Sequence, residues 1–115
     1  MWVAVLRLDI AIPGARSLKD RRQVVKSLKE RIQARFHVSC AEVGELEAWT
    51  RASLGISACS NDQQLLQELS DEIVRYAGND AGALLGHVER ELFRFGGEEA
   101  EGSWADEEGL DDADE

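Results

Sequence analysis

An α+β fold, with a four-stranded antiparallel sheet and two helices on one face, is what this sequence predicts. Three observations lead there. Four segments are strand-like, mostly by apolar–polar alternation, and two others carry apolar residues at helical spacing. Their order along the chain is β-α-β-β-α-β, and the length of 115 residues suits one modest core. The net charge of −10 is unevenly placed. Residues 96–115 hold ten of the 23 acids and no Lys or Arg, so residues 1–95 carry 13 acids against 13 bases. A neutral domain (1–95) with an acidic tail (96–115) is expected. This excludes a two-domain enzyme, a coiled coil, a collagenous chain and a disulfide scaffold.

Residues 2–12 form the first predicted strand. Trp2, Leu6, Leu8, Ile10 and Ile12 share one face, and Val3, Val5, Arg7 and Asp9 the other. Pro13-Gly14 closes it. Ser17 then supplies an N-cap hydroxyl and Asp20 a carboxylate in the first turn. A helix follows to about residue 35, with Leu18, Val24, Val25, Leu28 and Ile32 on its apolar side. Residues 36–43 form a second strand, 45–48 a loop, and 50–59 a third strand with Ala52, Leu54, Ile56 and Ala58 inward. Beyond the capping types Ser60, Asn61 and Asp62, a second helix runs to about residue 77. It bears Leu65, Leu66, Leu69, Ile73 and Tyr76. Residues 84–95 form the last strand, with Leu84, Val88 and Leu92 competing against Leu85 and Phe93 for the buried face. Two such halves make a ferredoxin-like sandwich. From Gly96 onward the like charge is too dense to condense, and the tail is expected to be disordered.

The run Pro13-Gly14-Ala15-Arg16-Ser17-Leu18-Lys19-Asp20-Arg21-Arg22-Gln23-Val24-Val25-Lys26-Ser27-Leu28 resembles the signature of the YlxP-like family of small bacterial proteins. The likeness continues through Arg35-Phe36-His37-Val38-Ser39, Ala41-Glu42-Val43, Trp49-Thr50-Arg51-Ala52 and Ser60-Asn61-Asp62, covering roughly residues 1–95. Departures from the family pattern fall at Arg21-Arg22 and at residues 44–51. The resemblance implies a ferredoxin-like fold. It also implies a link to ribosomes, because genes of this family often lie beside those for translation initiation factor two and ribosome-binding factor A.

The main functional signal in the residues is the first helix. Residues 16–35 hold eight bases against Asp20 and Glu30, whereas residues 36–95 hold four bases against ten acids. At 100° per residue, Lys19, Arg22, Lys26 and Lys29 form one ridge. Arg16, Lys19, Arg21, Arg22, Lys26 and Lys29 are the candidate RNA-binding set, since such a surface suits phosphates without reading sequence. Arg21 falls in the apolar stripe, so it must snorkel or find a carboxylate. The competing expectation is a solvated face whose bases pair with acids of the second helix.

Other chemistries fare worse. Base stacking on the open sheet lacks rings, because the third strand shows Arg51, Ser53, Gly55, Ser57 and Cys59 outward. The phosphate-cradling run of acylphosphatases, which share this topology, is absent, although Arg16 beside a helix N-terminus could hold an anion. No catalytic set, cofactor motif or metal site is expected. A hairpin around residues 44–49 would place Cys40 near Ser53 and Cys59 roughly 20 Å away, too far for a shared zinc or a disulfide. Residues 2–12 are too short to span a membrane, and no secretory leader is read, so a cytoplasmic address is expected. The expected function is a non-enzymatic contact with ribosomal RNA or the ribosome. The alternative is a protein-interaction or ligand-sensing module dimerising through its open sheet.

Overall fold

The structure, a computed structural model, describes residues 1–44 and 50–97. Its elements are β1 (Trp2–Ala11), α1 (Leu18–Phe36), β2 (Ser39–Val43), β3 (Arg51–Ser60), α2 (Gln63–Gly78) and β4 (Leu84–Arg94). A single sheet orders the strands β2-β3-β1-β4, with every neighbouring pair antiparallel. This is the ferredoxin-like sandwich.

The alternation in β1 decides which face meets the helices. Ala4, Leu6, Leu8 and Ile10 are buried, while Val5 and Arg7 are exposed. Register brings Leu6 opposite Ile56 and Leu8 opposite Leu54 across the two central strands. Onto this layer α1 sets Val25, Leu28 and Ile32, and α2 sets Leu66, Ile73 and Ala77, all buried. Burying a large aliphatic side chain stabilises the fold by about 1.5–3 kcal/mol, so these positions carry most of the core. Leu18 and Leu65, expected on the apolar stripes, are instead 39% and 53% exposed. Each sits in the first turn of its helix, just outside the packed layer. The buried face of α2 is completed by the small Ser70 and Ala77.

Three local expectations change. Phe36 closes α1 instead of opening a strand, because His37 adopts φ 56° and its N–H caps the Gln33 carbonyl at 2.9 Å. The strand therefore begins only at Ser39, and Phe36 packs edge-on against Tyr76 at 5.7 Å. In β4 the face question is settled by a bulge. Ile10 opposes Leu85 but Leu8 opposes Val88, so the register shifts between them. Leu85 and Val88 consequently both turn inward with Leu92, and Leu84 and Phe93 are left exposed. The third change is in the hairpin register. Cys40 faces Ile56, not Ser53, because β2 stops at Val43 opposite Ser53 while β3 runs on along β1. Cys59 thus lies three residues beyond the Cys40 partner, about 10 Å along the strand. Cys40 is buried and Cys59 exposed, on opposite faces of the sheet, so they remain two separate thiols. The loop expected at residues 45–48 and the tail from residue 98 lie outside the described residues.

Candidate polyanion-binding surface

The local sequence builds α1 from its first turn. The Asp20 amide donates to Ser17 Oγ at 3.1 Å, and the Asp20 carboxylate accepts the Arg16 amide at 3.0 Å. This reciprocal pair satisfies the start of the helix with its own side chains. It also puts a carboxylate at the place where Arg16 and the helix N-terminus were expected to hold an anion.

Of the eight bases of residues 16–35, Arg16 precedes the N-cap and the other seven divide by azimuth around α1. On the flank facing α2, Arg31 bonds Asp80 at 2.8 Å and the Tyr76 hydroxyl at 3.2 Å. Arg35 lies over the Tyr76 ring at 5.1 Å. The Asp80 and Tyr76 contacts push the Arg31 pKa further above its already high value. Arg21 is correctly placed in the apolar stripe and is 3% exposed. Its guanidinium donates to the Glu42 carboxylate on β2 and to the Arg51 carbonyl at 3.1 Å. Arg21 is therefore removed from the surface set and reassigned to the interior.

The opposite flank is different. Gln33 donates to the Cys40 carbonyl at 3.0 Å, which fixes that side of α1 above β2. At 100° per residue Lys29, Arg22, Lys26 and Lys19 share this flank. Arg16, Lys19, Arg22 and Lys26 are exposed and Lys29 is half-buried. None of the five forms an ion pair with a described residue, in contrast to Arg7, Arg21, Arg31 and Arg90. From Lys19 to Lys29 the ridge runs about 15 Å at 1.5 Å rise per residue. The arrangement can neutralise several successive phosphates and reads no base.

The open sheet face carries a cluster that sequence inspection missed. Ser53 Oγ donates to Asp9 Oδ1 at 2.6 Å, and Arg7 bridges both, to Asp9 at 3.2 Å and to Ser53 at 3.3 Å. The Ser53 bond, with help from Arg7, holds the Asp9 carboxyl below its ordinary pKa despite some desolvation. Alternation in β1 signals that Arg7 and Asp9 share a face; only the β1–β3 register adds Ser53. Beside them Gly55 leaves room for Val43, whose Cγ1 would stand 3.0 Å from a Cβ at that position. Burial pushes the Cys40 thiol up to about 11, so it stays protonated at neutral pH. Among the described residues, no three His, Cys, Asp or Glu side chains gather as a metal site would require, and no helix is long and apolar enough to cross a membrane.

Comparison with known proteins adds two findings. A family model described as a protein of unknown function (DUF503) matches residues 3–90. An uncharacterised protein called YlxP from Bacillus subtilis (strain 168) is 43% identical over 55 residues, which is 48% of this chain and 60% of that relative. The match thus spans less than two thirds of the relative's length.

Proposed function

Since the chain belongs to the DUF503 family, described as of unknown function, its activity has to be reasoned from its own surface, and we propose that it is a non-enzymatic, RNA-contacting accessory of the ribosome or of its assembly. One observation carries the polyanion part: Lys19, Arg22, Lys26 and Lys29 line the β2 flank of α1, with Arg16 exposed just before its N-cap, and none of the five has an acidic partner among the described residues. Paired bases would be consistent with a merely solvated face. Unpaired ones on a rigid, capped helix favour phosphate contact, which is sequence-independent and steeply weakened by salt. The ribosomal part rests on the YlxP-like resemblance and its genomic neighbourhood, and a cytoplasmic address goes with it.

The test replaces Lys19, Arg22, Lys26 and Lys29 together by Gln. Lys19, Arg22 and Lys26 are exposed and Gln keeps much of the stem of the half-buried Lys29, so the melting temperature should change little. Binding to structured RNA should fall, and the slope of log affinity against log salt should flatten by about 0.7–0.9 for each phosphate no longer neutralised. Cosedimentation with ribosomes through sucrose at two salt concentrations reads the cellular target. A variant that binds like the parent defeats the reading.

The exposed Val5, Val43, Leu84 and Phe93 favour a second reading, dimerisation through the open sheet face. Sedimentation equilibrium separates the two: an apolar dimer persists in high salt, whereas an RNA complex dissociates.

A further inference from the structure

β3 is longer than its edge partner, and the mismatch leaves a notch. β2 pairs with β3 only from Ser39 opposite Ser57 to Val43 opposite Ser53. Beyond Ser57, residues Ala58 to Ser60 have β1 on one side and no strand on the other among the described residues. The notch opens into a groove of about 550 Å³ whose walls include Met1, Val3, Val38, Ala58, Leu65 and Leu69. The lining is mainly apolar, and Leu65 at its rim is 53% exposed.

The chain itself leaves the sheet beside this groove. The Phe95 amide donates to the Met1 carbonyl at 2.8 Å and the Met1 amine to the Phe95 carbonyl at 3.0 Å, which extends the β1–β4 ladder to the groove's own wall. Gly96 then takes φ 69°, a left-handed conformation that turns the chain out of the strand. Residues 98–115 follow, and their only large apolar side chains are Trp104 and Leu110. Trp104 stands seven residues past Gly97. Seven extended residues reach about 23 Å. From β4 across β1 to β3 is two strand spacings, about 10 Å. The groove is therefore well within reach.

We propose that the groove between the β3 edge and the first turns of α2 is the docking site of the chain's own C-terminal segment, with Trp104 as the anchor. Trp104 covers Leu65 and Leu69, and the neighbouring backbone lies along the unpaired edge at Ala58 to Ser60. Carboxylates flank the anchor at Glu101, Asp106 and Glu107. The N-terminal end of α2 is already capped by Asp62, which accepts the Leu65 amide at 3.2 Å, so the apolar anchor and not these carboxylates carries the contact. Tethering keeps the effective concentration in the millimolar range, so a contact of modest affinity suffices. The proposal is independent of the RNA reading, and its test contains no RNA.

The test uses the intact chain labelled with nitrogen-15. The indole Nε1–H signal of Trp104 is identified by its loss in Trp104→Phe. It should lie away from its position in a free peptide of residues 97–115. In Leu65→Asp, a substitution at an exposed site that leaves the core untouched, it should return to the peptide position. Leu65→Gln, uncharged, should return it part of the way and controls for repulsion between carboxylates. Coincidence of the Trp104 signal in the intact chain with that of the peptide overturns the proposal. So does a displaced signal that ignores both Leu65 variants. A displacement that appears only as protein concentration rises assigns the groove to a second copy and also overturns it.

Discussion

Arg21 shows how a residue's chemistry can mislead and its position correct the error. By type it belongs with the bases of α1; by azimuth it falls among Val25, Leu28 and Ile32, where it is buried against Glu42. The position was legible in the sequence, but the partner was not, because Glu42 is 21 residues away and reaches Arg21 only through the packing of α1 over β2. A buried charge that loses its partner costs more than a pair replaced by apolar groups. Glu42→Gln should accordingly lower stability by about 1–3 kcal/mol, and Arg21→Met by less, since Glu42 is 25% exposed and can turn to water. Denaturant melts of both variants check the order; a larger loss in Arg21→Met would refute it. The Asp9 cluster gives a prediction in pH. Its carboxyl titrates below the ordinary value chiefly because Ser53 bonds the ionised form. A depressed pKa contributes stability above the unfolded value of 3.8, and that contribution disappears as pH falls through the folded value. The side chain is 38% exposed, so the energetic effect is small and the titration is the better readout. Ser53→Ala should move the Asp9 midpoint upward in a carbon-13 carboxyl titration. An unchanged midpoint would mean that Arg7 alone sets it.

At the scale of elements, all six are readable in the sequence, four of them by periodicity, and the differences lie where a non-periodic event intervenes. The Ser17 cap and the helix it starts are readable because a hydroxyl, an acid three residues on and an apolar stripe coincide. Ser17→Ala removes the acceptor of the Asp20 amide and should cost about 1 kcal/mol. In a domain of this size that is a drop of about 4–8 °C in melting temperature, which calorimetry resolves. No drop would mean that water replaces the hydroxyl without loss. The end of α1 escapes the sequence because His37 takes a left-handed conformation without being glycine, and residue type alone gives little warning of that. In β4 the bulge near Gly86 moves the inward set from Leu85 to Val88 and Leu92, so no single alternation fits the strand. The hairpin register is hidden for a related reason: nothing in residues 39–60 states that β2 stops at Val43. As for the candidate surface, the helical wheel places the ridge correctly. It cannot tell which bases find partners, since Arg31 reaches Asp80 49 residues along the chain.

Over the whole molecule, charge is distributed more sharply than structure. The stretch 16–35 carries eight bases and two acids, the remainder of the first 95 residues is net acidic, and the last twenty residues add ten carboxylates. A basic flank and an acidic tail on one chain must attract each other at low ionic strength, because the Debye length at 0.01 M salt is about 30 Å. Twenty residues of chain can extend to about 70 Å, so length does not keep the tail from a ridge on the same molecule. The tail should thus compete within the molecule for whatever anion the α1 ridge takes, whether or not Trp104 is anchored in the groove. Removing residues 98–115 leaves every described residue in place, so the truncated chain should still fold and melt cooperatively. RNA affinity at low salt should rise in the truncated chain, and the gain should shrink toward zero as salt approaches physiological strength and screens the tail. Filter binding of one structured RNA to the full and truncated chains, across a salt series, measures the gain and its decay together. Equal affinities at low salt would show that the carboxylates act only on solubility. An affinity gain that survives at high salt would point instead to steric occlusion, for which screening is irrelevant.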